Sequence, residues 1–127
     1  MGQIAKHVSV SSDNKPGALA KATAPVKEAG VSITGCCAWG EGSKANFVFL
    51  TDNNAKAVDA LKKAGFSPEE QEVVTTTLVN RVGTLAEAAQ KLGQGGVDIQ
   101  YCYMTVSGEN AVAVFATNDN KKAAGLI

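Results

Sequence analysis

The stretch Asn14-Lys15-Pro16-Gly17-Ala18-Leu19 returns 66 positions later as Asn80-Arg81-Val82-Gly83-Thr84-Leu85. Sliding the chain by 66 superposes residues 1–61 on 67–127 without a gap and gives 18 identities in 61 pairs. The matches fall on turn glycines (Gly17/Gly83, Gly30/Gly96, Gly42/Gly108) and on apolar positions (Leu19/Leu85, Val48/Val114, Phe49/Phe115), which are the positions that specify a backbone. Self-similarity at a fixed period marks a chain built from copies of one supersecondary unit. The 127 residues are therefore two copies of one unit.

Working outward from that turn, each copy reads as β-α-β-β-α. His7-Val8-Ser9-Val10-Ser11 alternates as a half-buried strand does. Asp13-Asn14-Lys15-Pro16-Gly17 is a turn into a helix, with Asp13 or Asn14 able to cap it. Leu19, Ala22, Val26 and Ala29 share one helical face. Pro25 lies inside that helix, where a missing donor predicts a kink in its third turn. Gly30 stops the helix. Val31 and Ile33 begin a second strand, Glu41-Gly42-Ser43 is a hairpin turn, and Phe47-Val48-Phe49-Leu50 is a third strand. Val58, Leu61 and Ala64 form a second helix stopped by Gly65. Strand-like Val73–Leu78 follows, and Ser67-Pro68 leaves room for a short extra strand near Phe66. The second copy repeats this as a helix from Gly83 to Gly96, a strand from Val97 to Val106 and a strand from Ala111 to Thr117. It ends at Ile127, inside its second helix, with no closing strand and an open edge that something must cover.

Composition narrows the function. Apolar residues make up 45% of the chain, and 12 basic residues balance 12 acidic ones. A chain without net positive charge is a poor match for nucleic acid, whose affinity comes largely from Lys and Arg on phosphates. No apolar run approaches the roughly 20 residues that span a bilayer, and the N-terminus has no signal-peptide stretch. The expectation is a soluble, cytoplasmic protein with neither a membrane nor a nucleic acid as partner. Three Cys do not make a disulfide framework. Cys36 and Cys37 are adjacent, so in a strand they point to opposite faces and cannot share a metal. His7 is the only His, so neither a His-based metal cluster nor a Ser/His/Asp set is expected. Gly93-Gln94-Gly95-Gly96 follows a helix and lacks the Gly-Lys-Ser/Thr ending of a phosphate loop, so it reads as a helix terminator. No catalytic residue, no metal ligand and no cofactor is expected.

The Asn-Lys-Pro-Gly-Ala-Leu turn, the later Ala29-Gly30-Val31-Ser32-Ile33 and the β-α-β-β-α order resemble the ACT domain. The second copy keeps Asn80-Arg81-Val82-Gly83-Thr84-Leu85 and Gly95-Gly96-Val97-Asp98-Ile99, with Val82 in place of the usual Pro. The resemblance covers nearly the whole chain as a tandem pair, like the small stand-alone double-ACT proteins. It implies an α+β fold of two ferredoxin-like βαββαβ units, residues 1–70 and 71–127. Their antiparallel sheets would lie side by side, with the second unit truncated at its C-terminal end. A ~60-residue unit is marginal alone, so pairing of the halves and assembly into a homo-oligomer, a homodimer for instance, are expected.

The turn itself suits a small ligand. Gly lets a backbone approach closely. The helix start offers unpaired N–H groups and a positive dipole end to a carboxylate, and Asn offers one acceptor and two donors. In ACT domains the ligand lies between two units, against the first turn of one and the start of the second strand of another. Carried over, this implies Ser12, Asn14, Gly17, Ala18, Leu19 and Ser32 in the first copy. In the second copy it implies Leu78, Asn80, Gly83, Thr84, Leu85 and Asp98. A carboxylate at Asp98 would pair with an α-ammonium group. Gln100, Tyr101 and Tyr103 lie just beyond, where they would shape a side-chain pocket. The plainer readings stand beside these: Asn14 and Asn80 as caps or turn residues, Tyr101 and Tyr103 as core or interface, and Trp39 as anchor or core. The expected function is a non-catalytic regulatory protein binding an amino acid at the junction of its halves. The alternative is a ligand-free interaction module or detached regulatory subunit of a biosynthetic enzyme.

Overall fold

The computed structural model describes residues 2–127. Its elements are β1 (Gln3–Asp13), α1 (Ala18–Glu28), β2 (Ile33–Glu41), β3 (Lys44–Thr51), α2 (Asn54–Lys63), β4 (Glu69–Val79), α3 (Thr84–Gln94), β5 (Ile99–Ser107), β6 (Asn110–Thr117) and α4 (Asn120–Leu126). From β4 to β6, every element has the bounds of its counterpart plus 66, so the sequence repeat is a structural repeat residue for residue. The architecture is α+β, with antiparallel strands, as two βαββαβ-type units. No helix among the described residues is long and apolar enough to cross a membrane.

The chain divides into two compact units: Lys6–Gln71, and Glu72–Ile127 with the N-terminal residues up to Ala5. In the first, β3 lies between β1 and β2, with Val8 opposite Phe49 and Cys36 opposite Phe49 from the other side. In the second, β6 lies between β4 and β5, with Val74 and Cys102 opposite Phe115. The division cuts through two strands. Residues 3–5 of β1 group with the second unit, and Glu69–Gln71 of β4 group with the first.

These bounds differ from the 1–70 and 71–127 expected from sequence, and they answer the missing strand. The second unit does end in a shortened helix, but residues 2–5 fill the place of its fourth strand. Gly2 packs against Val74, Ala124 and Ile127, and its N–H donates to the Ile127 carbonyl. An 11-residue strand is longer than one unit needs, so β1 serves both. No separate strand forms near Phe66; β4 simply starts earlier than the apolar pattern suggests, at Glu69.

The core of the first unit collects Val8, Val10, Ala22, Val26, Phe47, Phe49, Ala57 and Leu61. That of the second collects Val74, Ala88, Leu92, Ala113, Phe115 and Ala123. Alternation on the strands and helical spacing on α1–α4 aim these side chains inward. Leu19 departs from the expected face and stays 44% exposed, while Ala18 beside it packs against the core with Ala22, Val26 and Ala29.

Helix ends explain themselves locally. After α1, the N–H of Gly30 bonds to the Lys27 carbonyl at 2.9 Å and that of Val31 to Val26 at 3.2 Å. This paired pattern is the Schellman motif, which needs a left-handed residue at its pivot, and Gly30 supplies φ 73°. Gly65 and Gly96 end α2 and α3 the same way. α1 continues through Pro25 to Glu28, and the Ala29 N–H still donates to the Pro25 carbonyl at 3.1 Å. Full burial of Val26 holds that last turn on the sheet despite the lost donor.

Candidate functional site

Each βα turn is built from three pieces. β1 ends at Asp13, residues 14–17 form the turn, and α1 starts at Ala18. The residue before α1 is Gly17, at φ 86°, a left-handed conformation that disfavours any side chain. No side chain caps this helix, contrary to the expected role of Asp13 or Asn14. Asn14 instead donates from Nδ2 to the Gly42 carbonyl at 3.2 Å, and Asn80 donates to Gly108 at 2.9 Å. The reason is geometric: the turn reverses over four residues, so the Asn side chain reaches the neighbouring β2–β3 hairpin and not the helix. With the cap position held by glycine, the N–H groups of Leu19 and Ala20 have no acceptor among the described residues.

A cleft of about 350 Å³ opens at the first turn, lined by Ser12, Asp13, Lys15, Pro16, Gly17, Ala18 and Lys21 and floored by Ala64, Gly65 and Phe66. A cleft of about 240 Å³ occupies the matching place in the second unit, lined by Leu78, Val79, Arg81, Thr84, Glu87 and Lys91, among others. Offset by 66, Ser12 becomes Leu78, Asp13 becomes Val79, Lys15 becomes Arg81 and Lys21 becomes Glu87. Arg81 and Glu87 make a two-pronged ion pair at 3.1 and 3.2 Å. Lys15 and Lys21 make no ion pair among the described residues.

Of the residues singled out from sequence, Ser12, Gly17 and Ala18 share the first cleft, and Leu78 and Thr84 share the second. Asn14, Leu19, Asn80, Gly83 and Leu85 belong to the same turns but line neither cleft. Ser32 lines a separate groove beside α1, with Ala20, Thr23 and Lys27. Its N–H donates to the Asp52 carboxylate at 3.0 Å, as that of Asp98 does to Asn118 at 2.9 Å. Gln100 is the extra residue of a bulge between Ile99 and Tyr101 on β5, and Tyr101 is half-buried. Lys15, Lys21, Arg81, Glu87 and Phe66 were not singled out. The spacing of Lys15 and Lys21 across the turn is the signal that could have found the first two. Phe66 is distant in sequence and carried none.

The cysteines are free, with Cys36 and Cys102 exposed and Cys37 half-buried. Cys36 lies opposite Phe49 and Cys37 opposite Val48, on opposite faces as adjacent strand residues must be. Partial burial, then the neighbouring Cys37, pushes the Cys36 thiol pKa up. No group of three or more His, Cys, Asp or Glu suited to a metal ion exists among the described residues.

A family model described as "ACT domain pair" matches residues 5–127. Solved structures share the fold. A Bacteroides thetaiotaomicron protein superposes with a TM-score of 0.90 at 24% identity, over 98% of this chain and 87% of its own. The regulatory subunit of aspartate kinase from Thermus thermophilus, in ligand-free form, superposes with a TM-score of 0.70 at 15% identity, over 98% and 93%. That from Thermus flavus superposes with a TM-score of 0.64 at 15% identity, over 98% and 93%. No curated protein matches the chain.

Proposed function

Because the chain belongs to the ACT-domain family as a domain pair, we propose that it is a non-catalytic regulatory protein whose switch is the binding of an amino acid or closely related metabolite. The observation that carries this reading is the first-unit cleft. It joins a glycine turn and two unpaired lysines with one carboxylate, at Asp13. A zwitterion needs both signs of charge in one place, and this cleft offers both. The open Leu19 and Ala20 amides beside it add donors at the positive end of α1. The second surface for the ligand, where Ser32 or Asp98 was expected to contribute, comes from another ACT unit in this reading. A ligand acts as a regulator only if it binds one state of the protein better than another. The regulatory subunits of aspartate kinase among the similar structures support the reading of an enzyme as partner.

Thermal-shift and calorimetric titration with the twenty proteinogenic amino acids tests the reading. Saturable binding of at least one, weakened by Gly17→Val, supports it. No response to any of them refutes it. A ligand-free docking module is the second reading, favoured by Met104 and Val106, which are 42% and 50% exposed on edge strand β5. Co-purification of an enzyme, unchanged by any metabolite and lost in Val106→Asp, would favour it.

A further inference from the structure

We propose that the outer edge of β5 is the joint through which two copies of this chain pair, strand to strand about a two-fold axis, and that its counterpart β2 does not serve this role. The proposal is independent of the ligand reading. β5 is an outermost strand and bonds to β6 alone. Alternate residues of such a strand aim their N–H and C=O groups away from the sheet. Sheet edges are ordinarily shielded by charge, proline or a bulge. Ile99–Ser107 contains no charged residue and no proline. Its bulge lies at the very start, between Ile99 and Tyr101, and from Tyr101 to Ser107 the register is unbroken.

The side chains add an apolar row. Cys102 lies opposite Phe115, Met104 opposite Ala113 and Val106 opposite Ala111, so all three stand on the helix-bearing face. The helix layer leaves them open: Cys102 is exposed, as are Met104 and Val106. The bond from Asn80 to Gly108 brings the turn that carries exposed Val82 to the same end of the strand. Offset by 66, the first unit has Cys36, Ala38, Gly40 and Pro16 at these places, and its strand closes on Glu41 where β5 has Ser107. The Asn14 side chain also lies against Gly40. The row of large apolar side chains therefore belongs to β5 and not to β2.

Charge and symmetry name the occupant. Like charges set opposite each other work against the pairing of a strand with its own copy, and β5 carries none. A two-fold axis perpendicular to the sheet keeps each residue and its copy on one face, so the Met104 and Val106 rows of two chains join into one strip. Such a contact uses the same patch twice and closes at two copies.

The test measures the mass of the full chain against concentration by sedimentation equilibrium. A monomer–dimer equilibrium is expected. Val106→Lys sets an unpaired charge in the joint and should raise the dissociation constant by at least about tenfold, with unchanged far-UV circular dichroism as the folding control. Ala38→Lys, at the counterpart of Met104 on β2, should leave the dimer intact. Maleimide labelling of the unaltered chain gives a reading that needs no variant: Cys102 should be protected at high concentration and react on dilution, while Cys36 reacts equally at both. A monomer at every concentration overturns the proposal, including one that binds an enzyme through Val106. So does a dimer lost in Ala38→Lys and kept in Val106→Lys. Mass that grows past two copies would mean that β5 joins β2 head to tail, and overturns it as well.

Discussion

The Asn80 side-chain amide donates to the Gly108 carbonyl at 2.9 Å, tying the turn before α3 to the hairpin between β5 and β6. Asn14 and Gly42 repeat the bond at 3.2 Å in the first unit. Both Asn residues are exposed, so each bond contributes near the low end of the usual range. Asn80→Ala and Asn14→Ala should each lower stability by about 0.5 kcal/mol, read as a shift in urea midpoint. Loss of amino-acid affinity at unchanged midpoint would instead make the Asn a ligand group.

A Cβ added at Gly2 would come within 3.1 Å of Val74, Ala124 and Ile127, and residues 2–5 group with the second unit. Deleting residues 2–5 should therefore speed amide exchange in β4, β6 and α4 while leaving β3 and α2 near their original protection. Hydrogen exchange followed by mass spectrometry reads this directly. An equal loss in both units would contradict the shared use of β1.

Burial, partly offset by Gln71 Oε1 at 3.3 Å from Nε2, holds the His7 imidazole below its usual pKa of 6.5. The unfolded chain then binds more protons than the folded one below pH 6.5. Stability is full above that pH and falls as pH drops through it, by at most about 1.4 kcal/mol per pH unit until the folded pKa is reached. Melting temperatures between pH 7.5 and 5 should fall more steeply for the unaltered protein than for His7→Gln. Parallel curves would mean that His7 is not kept neutral by the fold.

Phe49 and Phe115 are fully buried counterparts at the centres of the two cores. Either one changed to Ala should cost about 3–5 kcal/mol. Val82 is 99% exposed, and Val82→Ser should stay within about 0.5 kcal/mol of neutral. Chemical denaturation of the three variants checks the contrast. A small effect for Phe115 alone would mean that the second core repacks.

Asn53 accepts from the Lys56 N–H at 3.2 Å and caps α2, and Asp119 caps α4 through Lys122 at 3.0 Å. Asn53→Ala should cost about 0.5–2 kcal/mol. Asn53→Asp should retain most of the stability, since it puts the same oxygen at a positive helix end. A midpoint as low for the Asp variant as for the Ala variant would deny the cap its role.

The local rules were legible in the residues themselves. The 66-residue repeat, the strand and helix of each copy, the glycine stops of α1, α2 and α3 and the opposed faces of Cys36 and Cys37 depend on neighbours a few positions away, so periodicity and turn chemistry reveal them. Family resemblance located the turn at Asn14–Leu19. What the tertiary structure decided was where long-range partners lie. Asn14 turned from helix cap to hairpin tie because Gly42 is 28 residues off in sequence but within reach in space. Residues 2–5 closed the second unit and not the first, Ala64–Phe66 floored the first cleft, and Arg81 met Glu87 across the second turn. A sequence lists charges and apolar side chains in order, but a cleft is made by which of them the packed backbone brings together.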